Sequence, residues 1–419
     1  MTTAHRSNWA GNITFRAAEL HRPATVAELQ KLVAASGAIR AVGTRHSFND
    51  IADSPGAQVS LDALDQPVEV DTGAGTVTVG AGARYAQLSA ALDAAGVALH
   101  NLGSLPHISV AGACATGTHG SGDGNGSLAT AVRAIDLVTA DGELVTLHRD
   151  RDGDRFAGAV VGLGALGIVV RLTLDVIPTF DVRQWVFDGL SWTALTDHLD
   201  AVFAAGDSVS VFTRWHADQA GRVWVKRRAD THQPDAGELF GARPAEGPRH
   251  PVPGMPAEYC TEQDGVAGRW HDRLPHFRAE FLPSSGAELQ TEYLVPRDRA
   301  ADALAALARL RERIAPILQV CELRTVARDA LWLSPAYQRD VLGIHFTWVD
   351  DEAAVRPVLR GIEAALAPFA PRPHWGKLFS IAPEQVRAAY PRFADFAALA
   401  GEFDPHGKFR NAFLDRFLT

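Results

Sequence analysis

The chain has 419 residues, enough for two domains, and its 47% hydrophobic and 21% charged residues are the balance of a globular protein rather than a disordered one. A formal net charge of -9 and a pI near 6.0 argue against nucleic acid or an anionic membrane as the main partner, since both need a broadly basic face. Three scattered cysteines, Cys114, Cys260 and Cys321, with no CxxC spacing, argue against a disulfide framework or a metal site and read as buried thiols in a reducing compartment.

The N-terminus, MTTAHRSNWAGN, lacks the apolar stretch of a secretion signal, so a cytoplasmic protein is expected. Residues 25–36, TVAELQKLVAAS, start on a threonine and carry apolar residues at helical spacing, which predicts a helix. IRAVG follows as a short strand, then the turn-rich loop GTRHSF at 43–48. VEVDTGAGTVTVGAG reads as two strands joined at glycines, and RYAQLSAALDAAG as a helix ended by Gly96. From Gly103 to Ser127 small residues dominate. The Leu, Ile and Val of SLPHISVAGACAT favour a packed, ligand-lining loop over a flexible linker, and dense Gly, Ser and Thr let backbone N–H groups approach an anion. AVRAIDLVTADGELVTL gives two strands around an Asp-Gly turn.

The run Phe156 to Val170 is too short and glycine-rich to span a bilayer. Within it GLGALG, residues 162–167, matches the dinucleotide pattern G-x-G-x-x-G. The match needs a helix after the last glycine, yet the strand-like IVVRLTLDVI follows, so a tight turn between strands is expected. Near Thr179 the texture changes, and a second domain is placed at about 179–370. It holds an irregular Pro- and Gly-rich excursion at 232–256, a helix over 297–314, strands LQVCELRTV and IHFTWV, and a helix over 353–369. The tail with DPHGKFRNAFL is expected to return to the first domain, and with no large apolar face evident a monomer is expected.

Read together, GTRHSF, GSLPHISVAGACATGTHGSG, GALGIVV and DPHGKFRN resemble the vanillyl-alcohol-oxidase (PCMH-type) FAD flavoproteins. NWAGN, ELRT, HFTW and HWGK add a likeness to their alditol (xylitol, sorbitol) and aldonolactone oxidase branch. The resemblance implies an α+β fold: a two-lobed FAD-binding domain, 1–178 completed by 371–419, and an α+β cap with an antiparallel sheet, 179–370. It implies FAD bound covalently through His46, a bond suited to a neutral imidazole nitrogen acting as nucleophile. Implied cofactor contacts are Val42, Gly43, Thr44, Arg45, Ser47, Gly103, Ser104, Ser109, Gly112, Ala113, Cys114, Thr116, Gly117, His119, Ile168 and His374. Arg45 departs from the glycine of many relatives.

Alcohol oxidation needs a hydride acceptor, a base for the hydroxyl proton and positive charge near the oxygen. By resemblance Lys377 in HWGK lies beside the flavin, with His374 contacting the cofactor; His345 and Lys377 are expected to polarise and deprotonate the substrate hydroxyl. Glu322 and Arg324 are two apart on a predicted strand, as are His345 and Thr347, so each pair shares a face. Taken alone they could equally be an exposed ion pair and an exposed polar face. As a wall over the flavin, an acceptor beside a donor suits vicinal hydroxyls, and Glu322 would repel an anion. A neutral polyol substrate is therefore expected, with Ser104 and Thr347 adding contacts, oxidised at its terminal CH2OH to an aldose while O2 becomes hydrogen peroxide. An aldonolactone oxidoreductase on the same scaffold is the nearest rival. An NAD-dependent dehydrogenase or a non-catalytic sugar-binding protein would lack bound flavin.

Overall fold

The computed structural model describes residues 7–64, 66–216, 219–231, 237–281 and 287–418; residues 232–236 of the Pro- and Gly-rich excursion lie outside this set. A small parallel sheet comes first, with strands Glu19–His21, Ala57–Val59 and Ile39–Ala41 side by side in that order. Helix Val26–Ala35 covers it because Leu29 and Val33, four residues apart, bury one stripe against Ile39, Val59 and Phe409. The Thr25 hydroxyl caps the helix by accepting from the Glu28 N–H at 3.1 Å.

The C-terminal segment packs onto this sheet. The Ile39 N–H donates to the Lys408 carbonyl at 3.0 Å, and the Asn411 amide donates to the carbonyls of Asp50, Ile51 and Asp53. The buried Arg40 guanidinium donates to the carbonyls of Leu163 and Phe409, tying three segments together.

An antiparallel sheet follows, ordered Glu69–Asp71, Thr76–Gly80, Ile168–Asp175, Val132–Val138, Leu144–His148. The GLGALG turn feeds directly into strand Ile168–Asp175. Gly167, at φ 153°, lies so close to strand Val132–Val138 that a Cβ would sit 2.6 Å from the Val138 carbonyl oxygen. Its glycines serve a turn and a close approach, so the dinucleotide pattern is a coincidence of letters. Helix Arg149–Val160 has no counterpart among the sequence expectations. Gly153 kinks it at φ 45° and ψ -114°, and charged residues fill the part before Phe156.

Among the described residues the third sheet is the largest, with nine strands. Its long members run Asp181–Ser191, Gln219–Arg228, Ser208–Thr213, Leu318–Val326, Val341–Val349 and Glu288–Pro296, each antiparallel to the next. Helix Glu352–Leu366 packs on one face; its Glu363 carboxylate accepts from the Tyr293 hydroxyl at 2.8 Å. The helix expected over 297–314 is split into Ala300–Ala308 and Arg311–Ile314. The Leu310 N–H bonds three residues back to Leu307, and the Arg311 guanidinium takes the Ala308 carbonyl at 2.9 Å. Among the described residues, the three cysteines are free and buried, and no helix is long and apolar enough to cross a membrane.

Candidate active site

Three distant stretches are drawn together by their backbones. The Ser109 N–H donates to the Thr44 hydroxyl at 3.1 Å, tying the glycine-rich segment to GTRHSF. The Phe48 N–H donates to the Gly376 carbonyl at 2.8 Å, and the Asn49 amide reaches the carbonyls of Trp375 and Lys377, both at 2.8 Å. HWGK is held in turn by the His374 N–H on the Glu292 carbonyl at 3.0 Å and by Trp375, which stacks on Tyr390 in the core.

These stretches line a cavity of about 1020 Å3 that is also lined by residues of the parallel sheet and of the buried central strands of the large sheet. His46 is among the lining residues, stacked on Trp9 with ring centroids 5.1 Å apart and planes 21° apart. Its Nδ1 is buried without a hydrogen-bond partner. Burial, with the nearby Lys377 charge, pushes its pKa down to about 4, so the imidazole is neutral. Arg45 beside it stands at φ 63°, in the left-handed region that favours glycine, at a cost on the order of 1 kcal/mol. Gly43 and Gly112 flank the Ser109 hydroxyl so closely that a Cβ on either would fall within 3 Å of it.

The far wall is built by strand register. Gln290 and Thr347 are paired, Glu292 and Glu322 both pair with His345, and Arg324 pairs with Gly343. With a side-chain period of two, Gln290, Glu292, His345, Thr347, Glu322 and Arg324 therefore share the face that lines the cavity. Arg324 Nη2 lies 2.9 Å from Glu292 Oε1, and its Nε 3.6 Å from Glu322 Oε2. His276 Nε2 meets Glu322 Oε1 at 2.7 Å, and the buried Lys226 ammonium donates to His276 Nδ1 at 3.1 Å. Although burial opposes it, Arg324 and His276 hold the Glu322 carboxyl far below the usual carboxylate range. Lys377 donates to the Gln290 amide oxygen and lies over the Phe48 ring, 4.8 Å from its centroid; burial pushes its pKa down to about 8. Ser104 sits within 3.4 Å of Arg324 Nη1.

Lys377, His345, Ser104, Glu322, Arg324 and Thr347 therefore share one cavity with Val42, Gly43, Thr44, Arg45, His46, Ser47, Gly103, Ser109, Gly112, Ala113, Thr116, His119 and His374. Cys114, Gly117 and Ile168 do not reach it. Cys114 turns into the core, 3.7 Å from the Tyr85 hydroxyl. Gly117, at φ 68°, faces Pro335, and Ile168 packs with Leu29 and Val33. Gln290, Glu292, His276 and Lys226 escaped the sequence reading. Gln290 and Glu292 carry a signal, a polar pair two apart in the apolar run ELQTEYLVP; His276 lies in irregular chain and carries none.

Residues 17–148 match the family model described as an FAD binding domain, and residues 287–417 that of D-arabinono-1,4-lactone oxidase. An alditol oxidase from Streptomyces sp. (strain IKD472 / FERM P-14339) is 56% identical over 97% of this chain and 97% of its own. An L-gulono-1,4-lactone dehydrogenase from Mycobacterium tuberculosis is 30% identical over 98% of both chains. Among solved structures, a cholesterol oxidase from B. sterolicum superposes with a TM-score of 0.80 at 17% identity, over 99% of this chain and 96% of that one. The cavity fits FAD: it is long, glycines bring the backbone close at Ser109, and His46 presents an unpartnered ring nitrogen.

Proposed function

The chain belongs to the vanillyl-alcohol-oxidase-type FAD flavoproteins, in the family of the alditol oxidases, and from that premise we propose that it oxidises the terminal CH2OH of polyols such as xylitol or sorbitol to the aldose. The observation that carries the substrate class is the Glu322–Arg324 pair. Arg324 already faces the carboxylates of Glu292 and Glu322, so little positive charge is left for an anionic substrate. An ionised acceptor beside a fixed donor matches neighbouring hydroxyl groups instead.

In this reading Glu322, Arg324, Thr347 and Ser104 bind the polyol chain. Lys377 polarises the terminal hydroxyl oxygen, and His345 takes its proton. FAD held in this cavity would supply the hydride acceptor, with O2 as the final electron acceptor and hydrogen peroxide as its product. His46 is assigned the covalent bond to the flavin 8α-methyl, a role supported by its neutral ring and unpartnered Nδ1. Oxygen access is assigned to the space beside Gly103, where a Cβ would meet no described atom nearer than 3.8 Å. The cavity would then be shared by a cofactor domain, 1–178 with 371–419, and a cap, 179–370.

The test compares initial rates of peroxide release with xylitol, sorbitol and L-gulono-1,4-lactone. Faster turnover of the polyols is expected; faster turnover of the lactone would transfer the protein to the aldonolactone oxidases.

A further inference from the structure

The base assigned above is one of two histidines that face a single carboxylate. Glu292 is 1% exposed, and its two oxygens face three nitrogen groups. Oε1 lies 2.9 Å from Arg324 Nη2 and 3.1 Å from His119 Nε2; Oε2 lies 3.2 Å from His345 Nδ1. The opposite strand makes room for this hub: at Gly343 a Cβ would sit 3.2 Å from Glu292 Oε1.

We propose that Glu292 is the positioning residue that makes His345 a proton acceptor, by binding its Nδ1–H and turning an unprotonated Nε2 toward the substrate hydroxyl. The proposal rests on His345 being the base. A carboxylate only accepts hydrogen bonds, so the His345 nitrogen that faces Glu292 is the one that carries hydrogen. Burial lowers the His345 pKa against the pull of Glu292, so the ring is neutral and Nε2 keeps its lone pair. Nε2 lies 3.4 Å from the Thr347 hydroxyl, too long for a strong bond, and both residues line the cavity.

In the reaction the substrate O–H bond breaks and its proton goes to Nε2. The carbon–hydrogen electron pair leaves as hydride to the flavin, and the C=O bond forms. The imidazolium then lies against an anion that is already in place, which is the orienting logic of a carboxylate behind a catalytic histidine. Charged and titratable groups that face His345 are Glu292, Glu322, Arg324, Lys377 and His374. Of these Glu292 is the one bonded to its ring.

The experiment is anaerobic flavin reduction by xylitol across pH, in wild type, Glu292→Gln, Glu292→Asp and His345→Gln. Glu292→Gln should cut the limiting reduction rate by roughly 100-fold or more while KM moves far less. Without the anion His345 binds protons less well, so the rising limb of the pH profile should shift to lower pH. Glu292→Asp keeps the charge and should recover part of the rate and of the profile; it carries the test if Glu292→Gln does not fold. Reduction by Glu292→Gln at the wild-type rate overturns the proposal. So does a loss that is equal at every pH and not relieved by Glu292→Asp, since that is a structural role. Normal reduction by His345→Gln would instead remove the base itself, whereas a slow His345→Gln beside a normal Glu292→Gln removes only Glu292.

Discussion

Lys377 shows how one residue draws its properties from several segments. Its side chain leaves the HWGK turn, lies over Phe48 and donates to Gln290, so three parts of the chain fix one ammonium. Burial brings its pKa down to about 8, and its charged form fades as pH rises through that value. Two titrations then bound the reaction: a rising limb from His345 and a falling limb near pH 8 from Lys377. Lys377→Met should slow flavin reduction by roughly 100-fold or more and abolish the falling limb. Normal reduction with an unchanged profile would take Lys377 out of the chemistry. At this scale GTRHSF and HWGK are legible because their residue types are unusual for loops. Glu292 shows in the sequence only as half of a polar pair in an apolar strand; its role is not legible until its three partners, 32 to 173 residues away, fold around it.

At the scale of elements, the glycine-rich segment is held at different tightness along its length. A Cβ on Gly120 would sit 2.3 Å from the Leu102 carbonyl oxygen, whereas one on Gly103 finds ordinary space. Gly120→Ala should therefore cost roughly 1–3 kcal/mol and lower flavin occupancy. Gly103→Ala should leave the melting temperature in place and slow only the reoxidation of reduced flavin by O2. Melting curves and stopped-flow reoxidation separate the two, and equal melting of both variants would contradict this account of the segment. Strands with clear two-residue alternation were legible, as were capped helices such as Val26–Ala35. Helix Arg149–Val160 was not, because its first turns are charged and interrupted by Gly153 and its apolar end merges into the next turn. Nor was the break at Leu310, which no proline or glycine announces. Cys114 looked like part of the cavity lining because it lies in the right segment. On this short helix Ala111, Gly112, Ala113, Ala115 and the capping Thr116 line the cavity, whereas Cys114 turns into the core.

At the scale of the whole molecule, the wall of the site is supported by charge buried behind it. Lys226, 1% exposed, donates to His276, which holds Glu322. Burial pushes the Lys226 pKa down to about 7 from the ordinary 10.5. Between these values the unfolded chain binds more protons than the folded one, so the cost of burying this lysine is full at and below about pH 7 and is relieved as pH rises from 7 toward 10.5. Against Lys226→Met, the wild type should gain a few kcal/mol of unfolding free energy between about pH 7 and 10, measured by urea titration; parallel pH dependence in both would contradict this. The architecture was legible only through the ordered set of motifs. Periodicity names strands, but it does not say that Leu318–Val326 and Val341–Val349 pair so as to align Glu322 with His345.

We propose that polyols reduce a flavin held in this cavity through His46. The most direct measurement is the absorbance spectrum of the purified protein under anaerobic xylitol, with a second sample acid-precipitated in wild type and in His46→Ala. Bleaching of the flavin band by xylitol is predicted, with a yellow wild-type pellet and a colourless His46→Ala pellet. A flavin that xylitol leaves oxidised, or a His46→Ala pellet that stays yellow, would contradict the account.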